Sequence, residues 1–225
     1  MFTLNPLPPQ LDKKLVEKLV RAEPATIGHF RNWGFMDPAI RAMLPNVRIA
    51  GPAVTVRAPG IDGTIVGYAL GQVRPGDVLV IDRCGDHRHA AFGGLVAYAC
   101  KTAKLAGVII DGVATDIGEV RQYNVPLWCR GLSAVTTKRI GLGGEFCVPV
   151  TCGGANVNPG DVIIADECGV VVLDPKDAEA AAERAIGMQD AEIKSRARLD
   201  AGEKLPDISG ATKMLQEAMA KQNQK

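Results

Sequence analysis

Several things are scarce in this chain of 225 residues, and each scarcity excludes a class. Aromatic residues make up only 4%, too few for a base-stacking platform. The formal charge is +1, with basic residues scattered, so neither nucleic acid nor an anionic membrane surface is an expected partner. No apolar run approaches the roughly 18 residues of a membrane-spanning helix. The six cysteines, Cys84, Cys100, Cys129, Cys147, Cys152 and Cys168, include no CxxC pair, which argues against a zinc knuckle and for free thiols of a reducing compartment. The start, "MFTLNPLPPQ", has neither the basic opening nor the apolar core of a secretory signal, and the cytoplasm is the expected location. There is no GxGxxG and no GxxxxGK[ST], so dinucleotide and P-loop sites are not expected.

What is present is an ordinary globular composition, 47% apolar and 23% charged, with 25 glycines clustered near strand ends. Leu11, Leu15, Val16, Leu19 and Val20 recur at helical spacing. Asp37 and Pro38 read as the cap and start of a short helix through Met43. "RIAGPAVTVRA", "DVLVID", "VIID", "VPLWCRG" and "DVIIADECGVVVLD" read as strands or strand pairs. "DGTIVGYALGQV" is helical toward its end, and a helix is expected from near Ala90 to Gly107. Asp174 as N-cap, Pro175 at N1 and Asp177 at N3 announce an alanine-rich helix to about Ala201, with one more short helix beyond it. The expected organisation is a layered α/β domain over 1–174 and a C-terminal helical extension over 175–225, packed on that domain or on a neighbouring subunit.

One segment repeats. "VRPGDVLVIDRCG" from Val73 and "VNPGDVIIADECG" from Val157 lie 84 positions apart. Either local rules built the same turn and strand twice, or two related halves bring their carboxylate ends to one site.

The chemistry-bearing candidates begin with "VIIDGVATDIGEV". Its apolar strand is read as ending on Asp111 and turning at Gly112, with Asp116 just beyond. A carboxylate at the end of a buried strand needs a partner. Asp116 either caps the following helix or offers oxygen to a divalent cation, and magnesium needs only one or two protein carboxylates. Asp82, Asp86, Asp166 and Glu167 are further acids near strand ends, whereas Asp77 and Asp161 follow Pro-Gly and read as turn residues. Gly93-Gly94-Leu95, if it opens a helix, either permits close packing or presents amides to a small carboxylate. In "DRCGDHRHA", Arg83, His87, Arg88 and His89 either form a solvated loop or grip an anion and move a proton. Cys84 and its echo Cys168 read as packing residues, and His29 as a surface or satisfied histidine.

The ordered blocks "RIAGPAVTV", "VRPGDVLVID", "FGGLVAYACKTAKLAGVIIDG", "DIGEVRQYNVPLW" and "NPGDVIIADECGVVVLD" resemble the RraA-like family over roughly 25–174. That family includes 4-hydroxy-4-methyl-2-oxoglutarate/4-carboxy-4-hydroxy-2-oxoadipate aldolases. The resemblance implies an α/β/β/α sandwich, subunits in rings of three or paired hexamers, and sites at subunit boundaries. It implies Mg2+ or Mn2+ on the last residue of a "DGxxRD" block, here "DGVATD", which makes Asp116 the metal ligand. It also implies a 2-oxo acid carboxylate on the amides of Gly93, Gly94 and Leu95.

The implied reaction is retro-aldol cleavage or decarboxylation of a small 2-oxo di- or tricarboxylic acid through an enolate held by the ion. The block's arginine is missing. Thr115 stands in its place and offers one neutral hydrogen bond instead of a charged fork. Arg83 and Arg88 are the replacement candidates, with His87 and Asp111 close by in sequence. Cys168 replaces an acid often seen in the family, and "GHF" replaces a common Asp-Ala-Leu. Two alternatives stay open: a diverged enolate isomerase or hydrolase, and a non-catalytic regulator, since some family members bind and inhibit a ribonuclease.

Overall fold

The computed structural model describes residues 1–223. In chain order the elements are β1 (Phe2–Leu4), α1 (Lys13–Leu19), α2 (Pro24–Gly28), β2 (Arg41–Ala42), β3 (Ile49–Arg57), α3 (Thr64–Leu70), β4 (Val78–Asp82), α4 (Gly94–Ala103), β5 (Gly107–Ala114) and α5 (Ile117–Tyr123). They continue as β6 (Leu127–Leu132), β7 (Gly144–Phe146), β8 (Val150–Cys152), β9 (Ala155–Val157), β10 (Val162–Asp166), β11 (Gly169–Leu173), α6 (Pro175–Asp200), α7 (Leu205–Ile208) and α8 (Ala211–Gln222).

The strands order as β1-β7-β3-β4-β5-β6-β2, and β3, β4, β5 and β6 run parallel. The β10–β11 hairpin attaches to the first half of β3, antiparallel, from Pro52↔Val162 to Ile49↔Ala165. Alternation along β10 shows why its run of apolar residues is unbroken. Val162 and Ile164 face a cluster with Leu19, Ile27, Ala178 and Ala182 from α1, α2 and α6. Ile163 and Ala165 face the opposite cluster, built on β3–β6 and α3–α5. A strand covered on both faces carries no polar alternation. The result is the expected RraA-like sandwich, with α6–α8 added at the C-terminal end. Trp128 is the largest fully buried side chain, and its indole N–H donates to the Asp166 carbonyl at 2.8 Å, tying β6 to the end of β10.

Asp174 with Pro175 opens α6, as the sequence signals predict, and Asp12 caps α1. Only the first part of α6 is sheathed, through Ala178, Ala181, Ala182 and Ala185. At 26 residues it is about 39 Å long, so its far half extends past the core it covers.

Three expectations need correction, and one open alternative is decided. No helix starts at Pro38: the Asp37 carboxylate accepts the Ala39 N–H in a turn, and Arg41–Ala42 pairs with β6 as a strand. The helix expected from Ala90 begins only at Gly94, because Ala90 is held in an extended segment by the Val135 carbonyl and bridges Thr136. The strand expected to end at Asp111 runs on to Ala114. Gly112 is not a turn but falls where the ladder with β6 slips register between Ile110 and Val113. The echoed Asp-x-Cys-Gly turns do not meet: Asp82 lies opposite Arg57, whereas Ala165 lies opposite Ile49, at the other end of β3.

Candidate functional site

The parallel strands β4, β5 and β6 carry their loops at one end of the sheet. From β5 the chain leaves through Thr115 into Asp116, which takes left-handed backbone angles (φ 52°, ψ 39°) before α5. Asp is among the few residues that adopt this region without glycine. Asp116 stands at the N-cap position of α5, yet its side chain caps nothing there. Instead its Oδ2 accepts the Gly94 N–H at 2.9 Å, at the first turn of α4. Thr115 Oγ1 donates to Asp116 Oδ1 at 3.3 Å, and the Thr115 N–H is held by the Phe92 carbonyl at 2.8 Å. The sequence alternative of a simple helix cap for Asp116 is therefore replaced by a bond between two elements.

The two glycines are required by contact. A Cβ on Gly93 would lie 2.6 Å from Asp116 Oδ2 and 2.9 Å from Thr115 Cγ2. One on Gly94 would overlap the Glu119 carboxylate. Glu119, which the sequence reading missed, thus sets a second carboxylate against the start of α4. Its signal was available: three positions after Asp116, it falls on the same side of a helix. Leu95 is 73% exposed and Tyr98, one turn on, packs edge-on against Tyr123 of α5 at 5.2 Å.

The remaining candidates divide into two further groups. Asp111 does not join Asp116. Its Oδ1 accepts from Arg130 Nε and its Oδ2 from the Gly153 N–H at 2.7 Å, while Arg130 reaches Asp37 at 2.8 Å. His87 Nε2 approaches Asp111 Oδ1 at 3.9 Å and is exposed. Arg130 is the partner sequence reasoning overlooked. It belongs to β6, and only the pairing of β5 with β6 brings it to Asp111.

Arg83 is not a free cation. It is fully buried, donates to the Ala58 and Gly60 carbonyls, and reaches Asp86 at 3.3 Å. Its place as a substitute for the missing arginine is corrected on that ground: a guanidinium committed to backbone oxygens cannot also hold substrate. Arg88 is exposed; its carbonyl accepts from Ser133 Oγ at 2.7 Å, and the Ser133 N–H donates to Ala114, the residue before Thr115.

Within this loop the Asp86 carboxyl is held down at about 2. Burial pushes it up, and the N–H groups of Arg88 and His89 with the His89 ring more than offset that. Cys84 and Cys168 are both exposed, which corrects the packing role expected of them. Burial and the neighbouring Asp82 raise the Cys84 thiol, the opposite of what a nucleophile needs. Among the described residues no three His, Cys, Asp or Glu side chains converge into a metal cage, and no helix is long and apolar enough to cross a membrane.

Fold and site together define a layered α/β protein with a carboxylate clasped to the start of a neighbouring helix. The chain belongs to the RraA-like (Aldolase/RraA) family, whose model matches residues 25–172. It is 38% identical over 144 residues, 64% of this chain and 68% of the other, to a protein of Halalkalibacterium halodurans provisionally named 4-hydroxy-4-methyl-2-oxoglutarate aldolase. Among solved structures it is similar to RraAS2 of Streptomyces coelicolor, described as an unusual member of the RNase ES inhibitor RraA family. That similarity has a TM-score of 0.75 and 28% identity, covering 83% of this chain and 98% of that one. A protein of Pseudomonas syringae pv. tomato shares the fold over 94% of this chain and 98% of its own, with a TM-score of 0.76 at 24% identity.

Proposed function

We propose that this protein is a divalent-ion-dependent carbon–carbon lyase acting on a small 2-oxo di- or tricarboxylic acid, with Mg2+ or Mn2+ on Asp116. The observation that carries the reading is the Asp116 carboxylate, turned away from its own helix and held by the Gly94 N–H. The residues present fit such an ion. The donors are all oxygen, from Asp116, Thr115 and Glu119, and glycine at 93 leaves open the space a side chain would fill. A hard cation of this kind keeps several waters and asks for one or two protein carboxylates, so a three-residue cage is not required. A bound divalent ion supplies Lewis-acid stabilisation of the charge that develops on the 2-oxo oxygen.

The chain's own residues do the rest. Gly94 N–H and Thr115 Oγ1 orient Asp116. The first-turn amides at 93–95 receive the substrate carboxylate, helped by the positive end of α4. Arg88, whose backbone carbonyl is held by Ser133 beside the end of β5, is our candidate for the cation that position 115 lacks, and exposed His87, which lies near Asp111, is our candidate proton carrier. The name given to the Halalkalibacterium halodurans relative supports this substrate class. Exposed Leu95 and Tyr98 beside the site support assembly into trimers or hexamers, with the C-terminal extension over 175–225 packing on its own domain or a neighbour. We place the protein in the cytoplasm, a reading supported by six free cysteines.

The assay is pyruvate release from 4-hydroxy-4-methyl-2-oxoglutarate, or decarboxylation of oxaloacetate, with added magnesium. Turnover that disappears with chelator is expected. No turnover across a panel of such acids rejects the lyase. A second reading, a ribonuclease-binding regulator, is favoured by Thr115 in place of arginine and by the description of the Streptomyces coelicolor relative. Capture of ribonuclease E by the metal-free protein supports that reading and counts against the first.

A further inference from the structure

The Gly94 N–H is asked to do two things. In the lyase reading it receives a substrate carboxylate, but here it is already bonded to Asp116 Oδ2 at 2.9 Å. One N–H makes one strong bond at a time. Asp116 stands where it would cap α5 and does not; its carboxylate reaches across to α4 instead. Glu119 lies so close to Gly94 that no Cβ would fit between them. An incoming anion therefore meets two carboxylates and an occupied amide. No arginine at 115 offsets this, and Arg57, Arg83 and Arg130 are committed to Glu145, Asp86 and Asp111, which leaves exposed Arg88 as the one cation assigned to the proposed site.

We propose that Asp116 is the site's own stopper: without a divalent ion its carboxylate holds the Gly94 N–H and shuts out substrate carboxylates, so anion binding is conditional on cation binding. This rests on the lyase reading of the same site. Cation and anion then each raise the other's affinity by the same factor, as linkage requires. Two negative charges become close to neutral when a doubly charged ion is present, and a carboxylate drawn toward that ion releases the amide. A bare helix start, by contrast, takes a carboxylate with or without a cation.

The test is calorimetry of the full-length, chelator-treated protein with oxalate, a planar two-carboxylate probe of the enolate's shape. Wild type is expected to bind oxalate at least tenfold more tightly with saturating magnesium than without metal. Asp116→Gly keeps the left-handed backbone and removes the stopper. It is expected to bind oxalate without metal at least tenfold better than metal-free wild type, and magnesium should change that by less than twofold. Glu119→Gln should fall between.

A second readout does not depend on any variant folding: magnesium alone should shift the Gly94 amide resonance of wild type. The stopper is overturned if metal-free and magnesium-loaded wild type bind oxalate equally. It is also overturned if well-folded Asp116→Gly binds none without metal, or if the Gly94 amide ignores magnesium. Failure of magnesium-loaded wild type to bind oxalate at all is a separate outcome, which removes the lyase reading along with the stopper.

Discussion

Asp82 and Asp166 make the same turn at opposite ends of one strand. Each carboxylate accepts the N–H of the cysteine two residues on, Cys84 at 2.7 Å and Cys168 at 2.8 Å. β4 runs parallel to β3 and β10 antiparallel, so Asp82 reaches Arg57 while the Asp166 end lies beside Ile49. The eight residue steps from Ile49 to Arg57 amount to about 26 Å. The repeated segment therefore builds two equivalent ends rather than one site.

Gly93→Ala should weaken magnesium binding at least tenfold while leaving the melting temperature close to wild type. The added methyl would lie 2.6 Å from Asp116 Oδ2, at a position where the backbone itself is relaxed (φ −149°). Titration with magnesium beside a thermal melt separates the two effects. Unchanged ion affinity would place the cation elsewhere.

Arg83→Met should destabilise the fold by about 2–4 kcal/mol and leave magnesium affinity as it was. The loss comes mainly from the buried Ala58 carbonyl, and secondarily from the part-buried bond to Gly60, deprived of their donor. Gly112→Ala should cost about 1–3 kcal/mol by overpacking, because a methyl there would lie 2.5 Å from Arg83 Cγ. Urea unfolding measures both.

Much of this was legible along the chain. Period, caps and Pro-Gly turns located α1, β4, β10–β11 and α6, because each signal is local. The Gly-Gly pair and Asp116 stood out for the same reason. What stayed hidden depends on which strands become neighbours. Asp111 looked like a strand end beside Asp116, but pairing β5 with β6 hands it to Arg130, 19 residues away. Arg83 looked like a spare cation because sequence does not show the carbonyls of a distant loop turning inward. The late start of α4 has the same origin: Ala90 is claimed by the 133–137 segment before a helix can form.

Asp111→Asn should destabilise by about 2–4 kcal/mol, since Arg130 would keep a charge that is only 18% exposed and lose its main partner. Pairing it with Arg130→Met should recover part of that loss in a double-mutant cycle. Additive losses would mean the two side chains do not share an ion pair.

Acid should loosen the 83–90 loop in a defined window. Asp86 ordinarily titrates near 3.8 and is held at about 2 in the fold. Its contribution is present above pH ~4 and is lost as pH falls toward 2, about 1–2 kcal/mol after allowance for solvent screening. Asp86→Asn should flatten stability against pH across that interval in denaturant titrations.

The left-handed twist at position 116 also narrows what mutational drift can explore. Glutamate there would keep the charge but lengthen the arm and strain the backbone by about 1–2 kcal/mol, and branched residues fare worse. Asparagine and glycine take up that twist most readily, and neither carries a negative charge. On the proposed reading, a lineage that abandons ion binding at this turn has two cheap exits, and one that keeps it is best served by aspartate.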